Sequence, residues 1–264
     1  MKTTIRSAAW AGRFYPENRT ELAQSVSGYL SRSLTHDNAP PLAIIAPHAG
    51  YPYSGPIAGS AYRGLAGPSK PYNRVIVIGP SHTLAFRGVA APSASAFESP
   101  LGLVPVDQSS LQALQQKNLV SFLDKAHVRE HGIEVHLPFL QLTVGSFELI
   151  PLITGSVDPQ VVADILDHQL HIPNTLVVIS SDLSHYHDYT TAQRLDRFAA
   201  KAIEARTPDL LEPEHACGRT AIQGLLLVAE DRGWHTETMD LRNSGDTAGT
   251  REDVVGYGAF LCHV

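Results

Sequence analysis

Short, continuous apolar runs that end in glycine or proline alternate with amphipathic segments along this chain. The clearest run is Arg74-Val75-Ile76-Val77-Ile78-Gly79, and Leu42–Ala46 and Thr175–Ser180 have the same character. Strands that are apolar on both faces are typical of a parallel sheet covered by helices. The pattern therefore predicts an α/β fold in which a central, mainly parallel or mixed sheet is flanked by helices.

The length and composition favour one domain, residues 1–264. A chain of 264 residues with 43% hydrophobic content can bury a substantial core, and one large domain or two small ones would fit this length. The sequence contains no internal repeat that would favour the second arrangement. We therefore expect a single α/β domain.

Charge and cysteine content restrict the environment and the partners. A formal net charge of −6 argues against a nucleic-acid partner, because phosphate binding needs clustered Lys and Arg. The sequence has no apolar run of about eighteen residues and no apolar signal-peptide core after Met1, which predicts an unexported protein without a membrane partner. Two cysteines are too few for a disulfide framework, so we expect a reduced, cytoplasmic location.

Three strand-ending segments each finish in a polar cluster that contains histidine. His48 follows the first buried run, His82 follows the second, and Asp182 with His185 follows the third. The carboxyl ends of strands in an open α/β sheet meet in one crevice, so these side chains could share one site. The alternative is that the histidines pack within loops and that Asp182 caps a helix. We predict a mononuclear metal site, with Asp182 orienting His185 or coordinating beside it.

Two further segments carry polar residues with more than one interpretation. One is a polar group made of Glu130, His131, Glu134 and His136. In this group His131 with Glu134 could hydrogen-bond a substrate or serve as acid and base, or the residues could form the solvated start of a helix. Asp246, in a tight loop between the last two strands, is either a turn residue or a hard oxygen ligand that completes a two-histidine, one-carboxylate set. Cys217 precedes a helix, where a structural role is favoured over a reactive thiolate.

Segments spread over nearly the whole chain together resemble the Memo family, of the AmmeMemoRadiSam system protein B type. They occur in the order found in that family, and the combination is more specific than any one of them. The segments are Ala11-Gly12-Arg13-Phe14-Tyr15-Pro16, Pro47-His48-Ala49-Gly50-Tyr51, Gly79-Pro80-Ser81-His82, Glu130-His131 through Leu137-Pro138-Phe139, Ser180 to Tyr186, Cys217-Gly218-Arg219, Asn243 to Asp246, and Val255-Gly256-Tyr257.

The resemblance implies a fold similar to that of the LigB-type class III extradiol dioxygenases, which use non-haem Fe(II). By analogy, His48 and His82 match the two metal-binding histidines, and His185 matches the acid/base histidine near the metal. The third ligand departs from the pattern that the resemblance implies. Animal Memo proteins have a cysteine in the loop before the last strand and the dioxygenases have a glutamate, whereas this chain offers Ser244, Gly245 and Asp246. A carboxylate suits Fe(II) and also other metals, so we expect Fe(II), with Cu, Zn or Mn as alternatives.

These observations lead to two functional hypotheses from different classes. The first is a non-haem Fe(II) oxidoreductase, similar to a dioxygenase, that acts on an unidentified small molecule. It would bind metal through His48, His82 and a third ligand, Asp246 or His185. Its catalytic residues would be His185, Asp182 and His131. The second is a non-catalytic adaptor that binds a metal or a peptide in a vestigial site. The resemblance also implies a radical SAM protein and an AMMECR-type protein as partners. Metal-dependent hydrolysis ranks below both hypotheses.

Overall fold

The computed structural model describes residues 4–32, 40–66 and 71–264. Strands and helices alternate over most of this range. The strands are β1 (Ile5–Arg6), β2 (Ala43–Ala46), β3 (Arg74–Pro80), β4 (Val89–Ala91), β5 (Ala96–Ser99), β6 (Gly102–Pro105), β7 (Ser121–Phe122), β8 (Glu148–Thr154), β9 (Thr175–Ser180), β10 (His185–His187), β11 (His235–Asn243) and β12 (Val254–His263). The α-helices are α1 (Arg19–Arg32), α2 (Tyr51–Arg63), α3 (Gln108–Gln116), α4 (Asp124–Val128), α5 (His131–Glu134), α6 (Leu137–Thr143), α7 (Pro159–Leu170), α8 (Tyr189–Glu204) and α9 (Arg219–Asp231).

A nine-stranded mixed sheet forms the centre of the molecule. Its strand order is β10-β12-β2-β9-β3-β8-β4-β7, and β11 pairs with β12 from Gly256 to His263. The four middle strands β2, β9, β3 and β8 are parallel, whereas β12 runs antiparallel to β2 and β4 runs antiparallel to β8. β1, β5 and β6 form a separate small sheet. The predicted α/β class with a mixed sheet flanked by helices is confirmed.

The parallel core of the sheet explains why its strands are continuously apolar. Every residue of β2 and β9 is buried, and β3 is buried up to its last residue. Helices cover both faces, so neither face of these strands contacts water. Because β2, β9 and β3 are parallel, their carboxyl ends lie at one edge of the sheet, where Ala46 pairs with Ser180 and Ile78 pairs with Ile179.

Several strands are short, and helix α2 has proline in its first turn. β5 has four residues, and β10, which has three, follows the Asp182 segment. α2 begins at Tyr51, and Pro52 lies in its first turn, where the missing N–H of proline is not needed. No helix in residues 4–32, 40–66 and 71–264 is long and apolar enough to cross a membrane.

His136, immediately before α6, is a buried imidazole in the aromatic core between α2 and α6. Its Nδ1 lies 2.8 Å from the hydroxyl of Tyr62, whose ring stacks on Phe139 at 4.9 Å. Its Nε2 is buried without a hydrogen-bond partner. Burial lowers the pKa of His136 to about 3, and repulsion from His131 adds to this effect.

We expect this histidine to make the fold sensitive to mild acid. Between pH 6.5 and 3 the unfolded chain binds a proton at His136 that the folded chain does not, so stability falls as the pH falls through this window. His136→Phe should reduce the slope of unfolding free energy against pH by up to about 1.4 kcal/mol per pH unit. Urea denaturation of the metal-free protein at several pH values measures this slope, and an unchanged slope would contradict the assignment.

Candidate metal centre

His48 and His82 come together at the carboxyl edge of the sheet. His48 lies two residues after β2 and His82 two residues after β3. Their ring centroids are 4.9 Å apart and the rings are nearly perpendicular, although 34 residues separate them in sequence. The predicted convergence of strand-end histidines is therefore confirmed for this pair.

His131 is the third histidine of the cluster. It begins α5, and its ring lies 4.5 Å from that of His82 and 5.3 Å from that of His48. One imidazole nitrogen from each of the three residues lies within 4.8 Å of the others, so the group could hold a metal ion. We call His48, His82 and His131 the three-histidine cluster.

The hydrogen bonds of His48 fix which of its nitrogens faces the cluster. The single hydroxyl hydrogen of Ser180 is donated to the carbonyl of Gly132 at 2.5 Å. Ser180 Oγ must therefore accept from His48 Nδ1, which lies 2.7 Å away and carries the ring hydrogen. The lone pair of the neutral ring is then on Nε2, the nitrogen left free to bind a metal.

Glu130 fixes His82 in the same way. Its Oε1 lies 2.7 Å from His82 Nδ1, its Oε2 accepts the backbone N–H of His82 at 2.7 Å, and Oε1 also accepts from Gly132 N–H. Burial by itself would raise the pKa of Glu130. The hydrogen bonds from His82 and Gly132 and the electrostatic effect of the His82 ring stabilise the ionised carboxylate more strongly, so the pKa of Glu130 is lowered. An ionised carboxylate only accepts, so His82 Nδ1 donates and Nε2 is available as a ligand.

Burial keeps two of the three imidazoles uncharged near neutral pH. Burial and repulsion from His82 and His131 hold the pKa of His48 well below its usual value. Burial, followed by repulsion from His82, lowers the pKa of His131 to about 4, although the nearby Glu130 carboxylate opposes the shift. Unprotonated nitrogens are what metal binding requires, so these two imidazoles need to release no proton when they bind an ion.

Two aromatic side chains of the amino-terminal segment, residues 6–16, pack against His131 of the three-histidine cluster. The ring of Phe14 lies 4.6 Å from that of His131, and the ring of Trp10 lies 5.6 Å from it. Buried Glu134 holds the segment by accepting from the Arg6 guanidinium, from the Tyr15 hydroxyl and from the backbone N–H of Trp10 at 2.8 Å. The sequence indicated the aromatic content of this segment but not its contact with His131.

Asp182 and His185 lie at the same edge of the sheet but in different surroundings. Asp182 Oδ1 accepts the backbone N–H of His48 at 2.8 Å, and burial raises the pKa of Asp182 to about 7. His185 begins β10; burial lowers its pKa, and repulsion from His82 adds to the shift. Within the described residues, no hydrogen bond joins Asp182 to His185, so the carboxylate supports the His48 loop instead of orienting His185.

Asp246 lies outside the three-histidine cluster, in a short 3₁₀ turn between β11 and β12. Its Oδ1 accepts from the Tyr189 hydroxyl at 2.6 Å, and its Oδ2 accepts the backbone N–H of Asn243 at 3.1 Å in a reciprocal capping box. Arg251 lies 3.9 Å from the same carboxylate. Both oxygens thus stabilise the loop, and the role of Asp246 as a metal ligand stays a prediction.

Cys217 approaches the cluster from the side of His48. Its Sγ lies 3.3 Å from His48 Nε2 and 3.6 Å from the carbonyl oxygen of Asp182. Burial, together with the negative charge of Asp182, raises the pKa of Cys217 to about 12, so the sulfur is a thiol at neutral pH. Sequence analysis favoured a structural cysteine at this helix entry and gave no sign of its contact with His48.

Comparisons with known proteins show the family to which this chain belongs. The family model described as Memo-like protein matches residues 6–261. A MEMO1 family protein from Methanopyrus kandleri is 33% identical over 278 residues, which cover 97% of this chain and 98% of that protein. MEMO1 family proteins from Thermotoga sp. strain RQ2 and Aeropyrum pernix are each 32% identical, with at least 96% of both chains covered. The chain therefore belongs to the Memo family.

One solved structure shows the same fold at low sequence identity. An uncharacterized protein from Escherichia coli K12 superposes with a TM-score of 0.53 and is 14% identical. The alignment covers 81% of this chain and 98% of that one. At this identity the likeness concerns the fold alone.

Proposed function

We propose that this protein binds one transition-metal ion through His48, His82 and His131 and acts as a non-haem Fe(II) oxidoreductase on a small molecule. The observation that carries the proposal is the convergence of three imidazole nitrogens within 4.8 Å of one another. Three protein ligands leave coordination positions open for a substrate or water, as catalytic metal sites do. The imidazole set suits Fe, Zn or Cu better than Mn, which prefers oxygen ligands.

The side chains around the cluster fit a preorganised metal site. His48 and His82 each donate Nδ1–H to a fixed acceptor, Ser180 or Glu130, so that Nε2 is the nitrogen presented to the ion. Such outer partners orient imidazole ligands and raise their basicity. When bound, an iron ion would supply redox chemistry with O₂ at the open positions.

The chain's own residues would handle protons and exclude water. His185, kept unprotonated by its buried surroundings, would accept a proton from a substrate hydroxyl. Asp182 would hold the His48 loop through its bond to the backbone N–H. Phe14 and Trp10 would shield the His131 side of the site from solvent. A radical SAM protein and an AMMECR-type protein remain the proposed partners.

The direct test of catalysis combines metal binding with oxygen uptake. Anaerobic calorimetry with Fe(II) should give one site per chain, and oxygen consumption with catechol as the probe should require the bound iron. One bound ion without uptake for catechol or related diols would contradict the oxidoreductase proposal and support a metal-binding adaptor. Absence of binding would contradict both.

Glu130→Gln should weaken metal binding without removing a ligand. The neutral amide cannot replace a carboxylate that accepts from the His82 ring, the His82 backbone and Gly132, so His82 loses its fixed orientation. Loss of such an outer partner typically costs 10–100-fold in metal affinity, and we expect about that range here. Calorimetry with Zn(II) measures the effect. Glu148→Gln, at the exposed start of β8, is the matched control and should leave the affinity unchanged.

A further inference from the structure

Tyr186 is the extra residue of a bulge in β10. His185 pairs with Val255 of β12. The next pair joins His187 to Val254, so two residues of β10 advance against one of β12. Such bulges bend a strand and redirect a side chain, and they are frequent beside active sites. The bulge therefore sets the direction of the Tyr186 ring, immediately after the histidine that we propose as the proton acceptor.

The backbone of Tyr186 is in the left-handed region, with a φ of 56°. A bulky residue rarely adopts this conformation, whereas glycine adopts it without a penalty from Cβ. In one common class of bulge the left-handed residue is a glycine. Tyrosine is therefore the more costly residue for the backbone at this position, and what it adds must come from its side chain.

The ring of Tyr186 contributes little to the packing of the fold. The residue is 75% exposed, and among the described residues no hydrogen bond holds its hydroxyl. Its ring contacts that of His185, at a centroid distance of 5.8 Å. Burial of the side chain thus does not offset the strained backbone. Strained residues of this kind cluster at sites that bind ligands.

Tyr186 lies on the solvent side of the metal centre. Burial and repulsion from the cluster residue His82 lower the pKa of His185, so that His185 lies beside the proposed ligands. Burial, and then the charge of Asp182, raise the pKa of Tyr257 in β12, and the nearby hydroxyl of Tyr186 adds to this effect. The exposed ring of Tyr186 is therefore placed at the entrance of the centre, next to the half-buried ring of His185.

We propose that Tyr186 is a ligand-contact residue, whose exposed ring stacks against a planar aromatic group of the molecule bound at the metal. This inference rests on the proposed metal centre and adds the chemical class of its ligand. A contact between two aromatic rings strengthens binding by about 2–12-fold. The bulge and the contact with His185 hold the ring in place before the ligand arrives, which reduces the entropy lost on binding.

Binding of acetohydroxamate and benzohydroxamate to the full chain loaded with one equivalent of Zn(II) tests the proposal. Both probes bind a metal through the same pair of oxygens, and only benzohydroxamate carries an aromatic ring. Calorimetry should show that the wild type binds benzohydroxamate more tightly. In Tyr186→Gly this preference should fall by about 2–12-fold, while the affinity for acetohydroxamate stays unchanged. Tyr186→Phe retains the ring and should retain the preference.

Leu103→Ala is the matched control. Leu103 is another exposed apolar side chain, and it lies in the separate small sheet, so its loss should leave both affinities unchanged. Urea denaturation should show that Tyr186→Gly is at least as stable as the wild type, because glycine adopts the left-handed conformation without strain. Tyr186→Asn also tolerates this conformation and repeats the test without the ring.

The outcomes separate this inference from the proposed function. An unchanged preference in Tyr186→Gly and Tyr186→Asn overturns the role of Tyr186 and leaves the metal centre intact. Equal weakening of both hydroxamates, or a clear loss of stability in Tyr186→Gly, would reveal a structural role for the ring and would also overturn the inference. Failure of the wild type to bind zinc overturns the metal centre itself. A zinc-loaded wild type that binds neither hydroxamate contradicts the open coordination positions of the proposed function, and the inference with them.

Discussion

Replacing Arg6 with alanine should lower the free energy of unfolding by about 3–5 kcal/mol, the usual cost of removing one partner of a buried ion pair. Glu134 is fully buried and accepts from the Arg6 guanidinium. Without that cation the carboxylate remains in the core with no opposite charge. Arg6 also donates to the carbonyls of His127 at 3.0 Å and Glu130 at 2.7 Å, so the substitution leaves further buried acceptors unpaired.

Equilibrium urea denaturation of wild type and Arg6→Ala measures this loss. Asp167→Ala is the control, because Asp167 forms its ion pair with Arg232 at the surface and its side chain is 53% exposed. Exposed pairs contribute about 0–1 kcal/mol. Equal losses for the two variants would show that the Arg6–Glu134 pair does not hold the amino-terminal segment in place.

His131→Ala should weaken metal binding strongly, whereas Asp246→Asn should leave it nearly unchanged. His131 contributes one of the three clustered nitrogens, so its removal should weaken Zn(II) binding by at least about 100-fold. Loss of a residue that only hydrogen-bonds to a ligand typically costs 10–100-fold, and loss of a ligand itself should cost more. Asp246 has both carboxylate oxygens engaged by Tyr189 and Asn243. Asp246→Asn should therefore change the affinity little and act instead on the loop between β11 and β12.

Calorimetric titration of both variants with Zn(II) gives the comparison. His48→Ala serves as the reference for loss of a ligand. Strong loss of affinity in Asp246→Asn with little loss in His131→Ala would contradict the three-histidine cluster as the metal site. That result would support the two-histidine, one-carboxylate set predicted from the sequence.

The strand-end part of the site could be predicted because it depends on a general property of parallel sheets. His48 and His82 follow strands whose apolar character is visible in the sequence, and parallel strands bring their carboxyl ends to one edge. The same reasoning placed Asp182 there. It could not show that the carboxylate accepts from the His48 backbone, because that contact depends on loop conformation.

The place of His131 in the cluster could not be predicted, because it follows a loop and not a strand. Its position depends on Arg6, which bonds to the Glu130 carbonyl from 124 residues away, and on Glu130, which holds His82. Long-range polar contacts of this kind leave no periodic pattern in a sequence. The assignment of Asp246 relied on counting back from Val255-Gly256-Tyr257, and the capping box that uses the carboxylate is visible only in the folded loop.

Anomalous diffraction from crystals of the Zn(II)-loaded protein, measured above and below the zinc edge, tests the metal centre most directly. We expect one anomalous peak about 2.0–2.1 Å from His48 Nε2 and His82 Nε2, with an imidazole nitrogen of His131 at the same distance. A peak bound by Asp246 in place of His131, or no peak among the three histidines, would contradict the three-histidine metal centre.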